Sequence, residues 1–284
     1  MSSPQDSRPT REPSPTLELA VMGLGNMGGA VLRGLLQAKV LAPHQVGVCD
    51  LLPDRIQTFT DLGCRSLDPI GVGEAPRILL AVKPQLFPEV AGNIGPRPGR
   101  RLAISVMAGL PSERIVAALG GDTAVIRTMP NTPASIGEGV TAISSGHDAT
   151  PADLAFVRRI FESVGRVVEV EESDFHAVTA VSGSGPAWVF RMAEAWTAAA
   201  IAEGLSPATA RTLVNQTLFG AAKLLQDSES DAATLRRAVT SRAGTTAAGL
   251  EALGRSGFEE VIHEAIGAAV ARSRELGTDD PPAQ

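Results

Sequence analysis

The chain has 284 residues, 44% hydrophobic and 20% charged, the balance of a folded globular protein of one or two domains, and this excludes disorder throughout. Its two cysteines, Cys49 and Cys64, are too few for a disulfide scaffold or a four-cysteine zinc site, so a reducing compartment is expected. A net charge of −6 offers no overall attraction to nucleic acid or anionic membrane, and no apolar run approaches the roughly 20 residues that span a bilayer; with no apolar core of a secretory signal at the N-terminus, the expectation is a cytoplasmic protein.

Residues 1–16 are rich in Ser and Pro and read as a disordered tail. From Leu17, β-prone runs over 17–22, 46–50, 77–82, 102–107 and 124–127 alternate with helical stretches over 27–38, 53–61 and 111–119, the pattern of βαβ crossovers and a mostly parallel, doubly wound sheet. The runs 78–82 and 104–107 are apolar at nearly every position, which places them in the sheet's centre. A strand over 139–143, a helix over 151–163 and a strand over 166–170 complete a Rossmann-like α/β domain, 17–172. The remainder, 173–284, reads as an all-α domain with helices over 186–202, 207–226, 232–239, 245–253 and 257–276. Runs such as Ala198-Ala199-Ala200 make these helices apolar on several sides, so they need partners on several sides and predict a homodimer built from this half.

Gly23-Leu24-Gly25-Asn26-Met27-Gly28 follows the first strand and opens the first helix. Glycines at these spacings allow a tight turn, close approach of a pyrophosphate and close helix–strand packing, while free amides at the helix start meet the phosphates. The bland alternative is a glycine-rich turn with no ligand. Asp50, ending the second strand, suits the ribose hydroxyls of NAD, whereas Arg55 suits the extra phosphate of NADP; alternatively Asp50 caps the next turn and Arg55 faces solvent. Val82-Lys83-Pro84-Gln85 and Met129-Pro130-Asn131-Thr132-Pro133 each follow a strand at the carboxyl edge, where the ligand crevice of such sheets lies.

In the helical half, Ser182-Gly183-Ser184-Gly185-Pro186-Ala187-Trp188 interrupts the helical pattern, as a packing turn or a ligand contact. Ser241-Arg242-Ala243-Gly244-Thr245-Thr246 combines hydroxyls, a flexible backbone and a helix start, which suits a small carboxylate; an ordinary helix cap is the alternative. His44, His147, His176 and His263 are scattered and carry no metal-site spacing. No Gly-x-Ser-x-Gly elbow or phosphate-loop lysine motif occurs.

Taken in order, Gly23–Gly28, Ala81–Pro84, Arg127–Pro133, Ala177–Ala187 and Val239–Thr246 resemble the pyrroline-5-carboxylate reductase family over nearly the whole chain. The resemblance implies reduction of 1-pyrroline-5-carboxylate to L-proline by NADP(H) or NAD(H), an active site where the two domains meet, and dimers that assemble into decamers. By position it makes Ser241 and Thr246 catalytic, and Glu229, Gly244 and Thr245 substrate-binding; Arg242 is assigned to the substrate carboxylate from its charge alone. The glycine loop and the carboxyl-edge segments make Gly23, Gly25, Asn26, Met27, Gly28, Asp50, Arg55, Val82, Lys83, Pro84 and Asn131 the candidate cofactor-binding residues. The family loop reads Ser-Pro-Gly-Gly-Thr-Thr, so Arg242 and Ala243 depart from it, as Trp188 does where tyrosine is usual.

Other readings compete. A β-hydroxyacid dehydrogenase would place a catalytic lysine on a helix of the second domain, but after Lys83 the sequence has only Lys223, without the accompanying lysine and asparagine pair. An imine reductase acting on a different ring, and a non-catalytic dinucleotide-binding protein, remain as alternatives.

Overall fold

The computed structural model describes residues 16–277, so the expected tail lies outside the described residues but for Thr16. The chain divides into two compact units: one runs to Val178 and resumes at Ser273, and the other is Thr179–Arg272.

In the first unit, short apolar runs become β1 (Leu19–Met22), β2 (Val46–Cys49), β3 (Arg65–Ser66), β4 (Arg77–Leu80), β5 (Arg101–Ser105), β6 (Thr123–Met129), β7 (Gly139–Ser145) and β8 (Gly165–Glu169). They form one sheet in the order β3-β2-β1-β4-β5-β6-β7-β8, parallel throughout except where β7 runs antiparallel to β6. β4 and β5 occupy the middle, as their continuous apolar character requires. Six helices connect the strands: α1 (Asn26–Gln37), α2 (Pro53–Thr60), α3 (Pro69–Glu74), α4 (Phe87–Ile94), α5 (Ser112–Leu119) and α6 (Pro151–Glu162).

Because successive side chains on a strand face opposite ways, β1 serves two cores. Leu19 and Val21 pack with Leu32, Phe59, Phe156 and Phe161 of α1, α2 and α6. Ala20 and Met22 pack with Val72, Phe87, Ile94 and Ile115 of α3, α4 and α5. Thr150 caps α6, its Oγ1 accepting from the Asp153 N–H at 3.2 Å while an Asp153 carboxylate oxygen accepts from the Thr150 N–H at 2.9 Å.

Arg101 opens β5 and is 1% exposed. Its guanidinium donates to the carbonyls of Gly95 at 3.1 Å, Leu119 at 3.2 Å and Gly73 at 3.4 Å. These carbonyls belong to the ends of α4, α5 and α3, so one cation serves three helix C-termini. Burial, with Arg97 adding to it, lowers the Arg101 pKa from its ordinary value.

β3, α3 and α4 were not expected from the sequence. β3 has two residues, too few for a pattern. Gly71 and Gly73 interrupt α3, which is held instead by Asp68 accepting from the Gly71 N–H at 2.7 Å. Pro88 and Gly92 obscure α4, although proline in a first helical turn removes no helix bond. The loops expected after the third and fifth strands therefore follow β4 and β6.

The last segments of the first unit are a 3-10 turn at Glu172–Asp174 and α7 (Phe175–Val178). The second unit begins with a π turn, Thr179–Gly183, in which the Ser184 N–H reaches the Thr179 carbonyl five residues back at 2.9 Å. This is the interruption expected at Ser182. Then come α8 (Gly185–Ala202), α9 (Pro207–Asp227), α10 (Ala232–Ala238), α11 (Thr245–Arg255) and α12 (Phe258–Leu276), whose last residues, from Ser273, belong to the first unit. Ser206 caps α9 through the Thr209 N–H at 3.2 Å.

Only Ala180, Ala210 and Val214 are buried apolar residues of the second unit, while Phe190 is 62% and Phe219 64% exposed. Among the described residues, no helix is long and apolar enough to cross a membrane. Both cysteines are free and buried. Burial, reinforced by Asp50 and Asp68, raises Cys49, and burial pushes Cys64 up to about 11.

Candidate functional site

At the carboxyl edge of the sheet, β1 gives way to a loop that only glycine can follow at two points. Gly23 has φ +97, and a Cβ there would lie 2.6 Å from the Ala81 carbonyl oxygen. A Cβ on Gly28 would lie 2.0 Å from the Gly23 carbonyl oxygen, so α1 packs against the loop backbone. Gly25 differs: a Cβ there would meet only Arg55 Nη1, at 3.8 Å. The protein itself leaves room at Gly25. Its lack of a side chain leaves the surface of the loop open, as a site for a pyrophosphate requires. Gly25 is also the N-cap of α1 and supplies no side-chain cap, leaving the first-turn amides of Asn26, Met27 and Gly28 without helix partners.

Asp50 sits beside this loop with its side chain 6% exposed. One carboxylate oxygen accepts from the Leu24 N–H at 2.6 Å; the other accepts from the Leu52 N–H at 2.9 Å and pairs with Arg55 at 3.5 Å. Asp50 thus ties the glycine loop to the end of β2, and both oxygens are engaged. Arg55 is 46% exposed. Val82, Lys83 and Pro84 follow β4, and the Leu86 N–H closes a turn on the Lys83 carbonyl at 2.9 Å. After β6, the side-chain oxygen of Asn131 accepts from the Val140 N–H at 2.9 Å and fixes that loop.

The first unit holds a further cluster. Arg127 is buried on β6, donates to Glu172 at 3.2 Å and lies over the Phe175 ring at 4.4 Å. Glu172 also accepts from the Ser112 N–H at 2.8 Å and the Ser112 hydroxyl at 2.6 Å. Burial alone would raise the Glu172 carboxyl, but the Ser112 bonds and Arg127 hold it below the usual range. The only sequence signal for this pair is an arginine ending the apolar run Ala124–Ile126.

In the second unit, Ser241, Arg242, Ala243 and Gly244 form a turn closed by the Gly244 N–H on the Ser241 carbonyl at 3.1 Å. Ala243 has φ +58 and Arg242 does not have a positive φ, the mark of a type II turn. Holding alanine in the left-handed region costs roughly 1–2 kcal/mol relative to its usual conformations. Gly244 is the N-cap of α11, and a Cβ on it would lie 2.3 Å from Ser241 Oγ, so the Ser241 hydroxyl is folded against the helix start. The Ala248 N–H makes the first helix bond, to the Gly244 carbonyl at 3.2 Å, so the amides of Thr245, Thr246 and Ala247 lack partners within the helix. Ser241, Arg242, Gly244, Thr245 and Thr246 are thus brought together by one turn and one helix start. Glu229 lies between α9 and α10, exposed, and no hydrogen bond or ion pair joins it to this turn. Among the described residues, no three His, Cys, Asp or Glu side chains come together as a metal site would need.

The order β3-β2-β1-β4-β5-β6 with a glycine loop at its carboxyl edge defines a dinucleotide-binding protein of the Rossmann class, here joined to a helical unit. Residues 172–276 match the model of the pyrroline-5-carboxylate reductase dimerisation domain, and residues 18–109 match that of the coenzyme F420-dependent NADP oxidoreductases. A pyrroline-5-carboxylate reductase of Synechocystis is 39% identical over 265 residues, covering 92% of this chain and 99% of its own. The structure of a Coxiella burnetii pyrroline-5-carboxylate reductase superposes with a TM-score of 0.85 at 31% identity, covering 93% of this chain and 99% of its own. A Plasmodium falciparum pyrroline carboxylate reductase with NADP bound gives a TM-score of 0.80 at 27% identity, over 93% and 99% of the two chains. The chain belongs to the pyrroline-5-carboxylate reductase family, and its helical half is that family's dimerisation domain.

Proposed function

We propose that the protein reduces 1-pyrroline-5-carboxylate to L-proline, the last step of proline biosynthesis, with a reduced nicotinamide dinucleotide as hydride donor. The observation that carries this reading is the pairing of two built anion cradles on a chain of this family: the Gly23–Gly28 loop for a pyrophosphate and the Ser241–Thr246 turn for a small carboxylate. The cofactor supplies hydride to the imine carbon, while the C=N electron pair goes to the protonated ring nitrogen. Glycines 23, 25 and 28 and the amides of Asn26 and Met27 hold the pyrophosphate; Val82, Lys83, Pro84 and Asn131 shape the carboxyl edge beside it. Arg55, half-exposed beside the glycine loop and paired with Asp50 at 3.5 Å, is the cation placed to meet a ribose phosphate, which supports NADPH over NADH.

The Ser241 hydroxyl and the free amide of Thr245 fix the substrate carboxylate at the helix start that Gly244 opens, with Arg242 beside them. The Thr246 hydroxyl oxygen accepts from the protonated ring nitrogen, orienting the imine for hydride attack. Glu229 is assigned by position only. The same proposal divides the labour between a dinucleotide-binding domain, 17–172, and a helical dimerisation and substrate domain, 173–284. Assembly of dimers into a decamer and a cytoplasmic location, suited to two free thiols, complete it.

Purified protein given the imine acid should consume NADPH and release proline in equal amounts; no proline with either nicotinamide cofactor would overturn the reading. Thr246→Ala should lower kcat/KM by roughly ten- to a hundredfold, about 1.4–2.7 kcal/mol for one hydrogen bond to a charged group, with cofactor affinity unchanged. Unaltered turnover would assign the ring nitrogen to another residue. Sedimentation at micromolar concentration should show no folded monomer, because the helices leave aromatic side chains such as Phe190 and Phe219 uncovered in a single chain; a stable active monomer would refute this.

A further inference from the structure

Arg242 and Ala243 occupy the second and third positions of a type II turn, where proline and glycine are the favoured residues. Neither residue present favours the turn. Proline would restrict the unfolded chain at position 242, and glycine would adopt the positive φ at position 243 without strain. The turn nevertheless forms, so its sequence is not the one that stability alone would select.

Within a single chain the arginine has no partner to account for it. Other arginines on the flanking helices are engaged: Arg237 donates to the Thr234 hydroxyl at 2.7 Å and Arg255 pairs with Glu251 at 2.7 Å. Arg242 is exposed and, among the described residues, makes no hydrogen bond or ion pair. It projects from the same four-residue turn as the Ser241 hydroxyl, which is folded against the start of α11.

Resting on the proposed function of this loop, we propose that Arg242 is a specificity-determining residue that makes the enzyme select imines bearing a carboxylate. A guanidinium adds a charge-assisted, bidentate contact to a carboxylate, which hydroxyls and amides alone do not provide. The contact is made equally to the bound imine acid and to the transition state, since the carboxylate takes no part in hydride transfer, so it acts on KM and leaves kcat unchanged. The ring itself gains nothing from Arg242.

The test compares wild type, Arg242→Ala, Arg242→Pro and Ala243→Gly at saturating NADPH on 1-pyrroline-5-carboxylate and on 1-pyrroline, which lacks the carboxylate. Values of kcat/KM taken from initial slopes make saturation by the poorer substrate unnecessary. Both Arg242 variants should raise the KM for the acid about tenfold with kcat unchanged, and should leave kcat/KM for 1-pyrroline unchanged. Arg242→Pro restores favoured turn chemistry without the charge, so its agreement with Arg242→Ala assigns the loss to the guanidinium. Ala243→Gly keeps the arginine and should keep wild-type selectivity.

An unaltered KM for the acid in both Arg242 variants would overturn the proposal, as would an equal loss on both substrates or recovery of wild-type KM in Arg242→Pro. In each of these cases wild-type turnover of the acid would leave the proposed function standing. Failure of the wild type itself to reduce the acid would instead defeat that function.

Discussion

Gly25→Val should weaken nicotinamide dinucleotide binding by roughly a hundredfold or more, about 2.7 kcal/mol, while the protein stays folded. A Cβ at Gly25 meets only Arg55 Nη1, at 3.8 Å, so the backbone of the free protein has no clash with a branched residue's first carbon. Valine is a poorer helix N-cap than glycine, a local cost of about 1 kcal/mol. The space it fills is the space over the α1 amides, where the proposed function puts the pyrophosphate. Fluorescence titration with the reduced cofactor, paired with a thermal melt, reads the two effects separately. Undiminished binding would show that the loop carries no phosphate. Gly23→Ala is the instructive contrast, because its clash with the Ala81 carbonyl is with backbone and its φ is positive, so folding and binding fail together.

Arg101→Met should destabilise the first unit by about 3–5 kcal/mol in denaturant unfolding, a large share of the roughly 5–15 kcal/mol typical of a domain. Methionine fills much of the volume but donates no hydrogen bond. The carbonyls of Gly95, Leu119 and Gly73 would then be left at three helix ends without their cation, and unsatisfied buried acceptors cost about 1–3 kcal/mol each. Arg101→Lys should recover part of the loss, since a single ammonium cannot fork to carbonyls on three sides. A loss below about 1 kcal/mol for methionine would mean that water satisfies those carbonyls instead.

Much of the fold is legible because the physics involved is local. The glycine spacing at 23, 25 and 28 and the uninterrupted apolar character of β4 and β5 each act within a few residues, and the structure places these elements as expected. The family resemblance reached further, to the dimerisation domain that the composition alone indicated only through helices apolar on several sides. What stayed hidden depends on residues far apart in sequence. Arg127 and Glu172 are separated by 45 positions, and Arg101 finds acceptors on three different helices. α4 was hidden for a different reason, since proline and glycine read as loop residues unless the helix's first turn is already known.

In the candidate site, the sequence supplied the residues and the structure supplied their engagements. Asp50 and Arg55 read as rival ribose contacts, and the structure adds that the Asp50 carboxylate accepts from the Leu24 and Leu52 amides and pairs with Arg55. Arg242 and Ala243 read as two departures from a family loop until the positive φ of Ala243 showed them to be two positions of one turn.

The bare apolar flanks of the second unit tie the endurance of this protein to its abundance. Surface such as that around Phe190 and Phe219 contributes to stability only when another copy covers it, so the folded fraction falls as the chain becomes scarce. In a two-fold assembly each substitution on that surface is also counted twice, once from each side of the axis. A change that a self-contained domain would absorb is doubled here, and so is a change that improves packing. Selection on α8, α9 and α12 therefore acts on pairs of residues even when only one codon has changed.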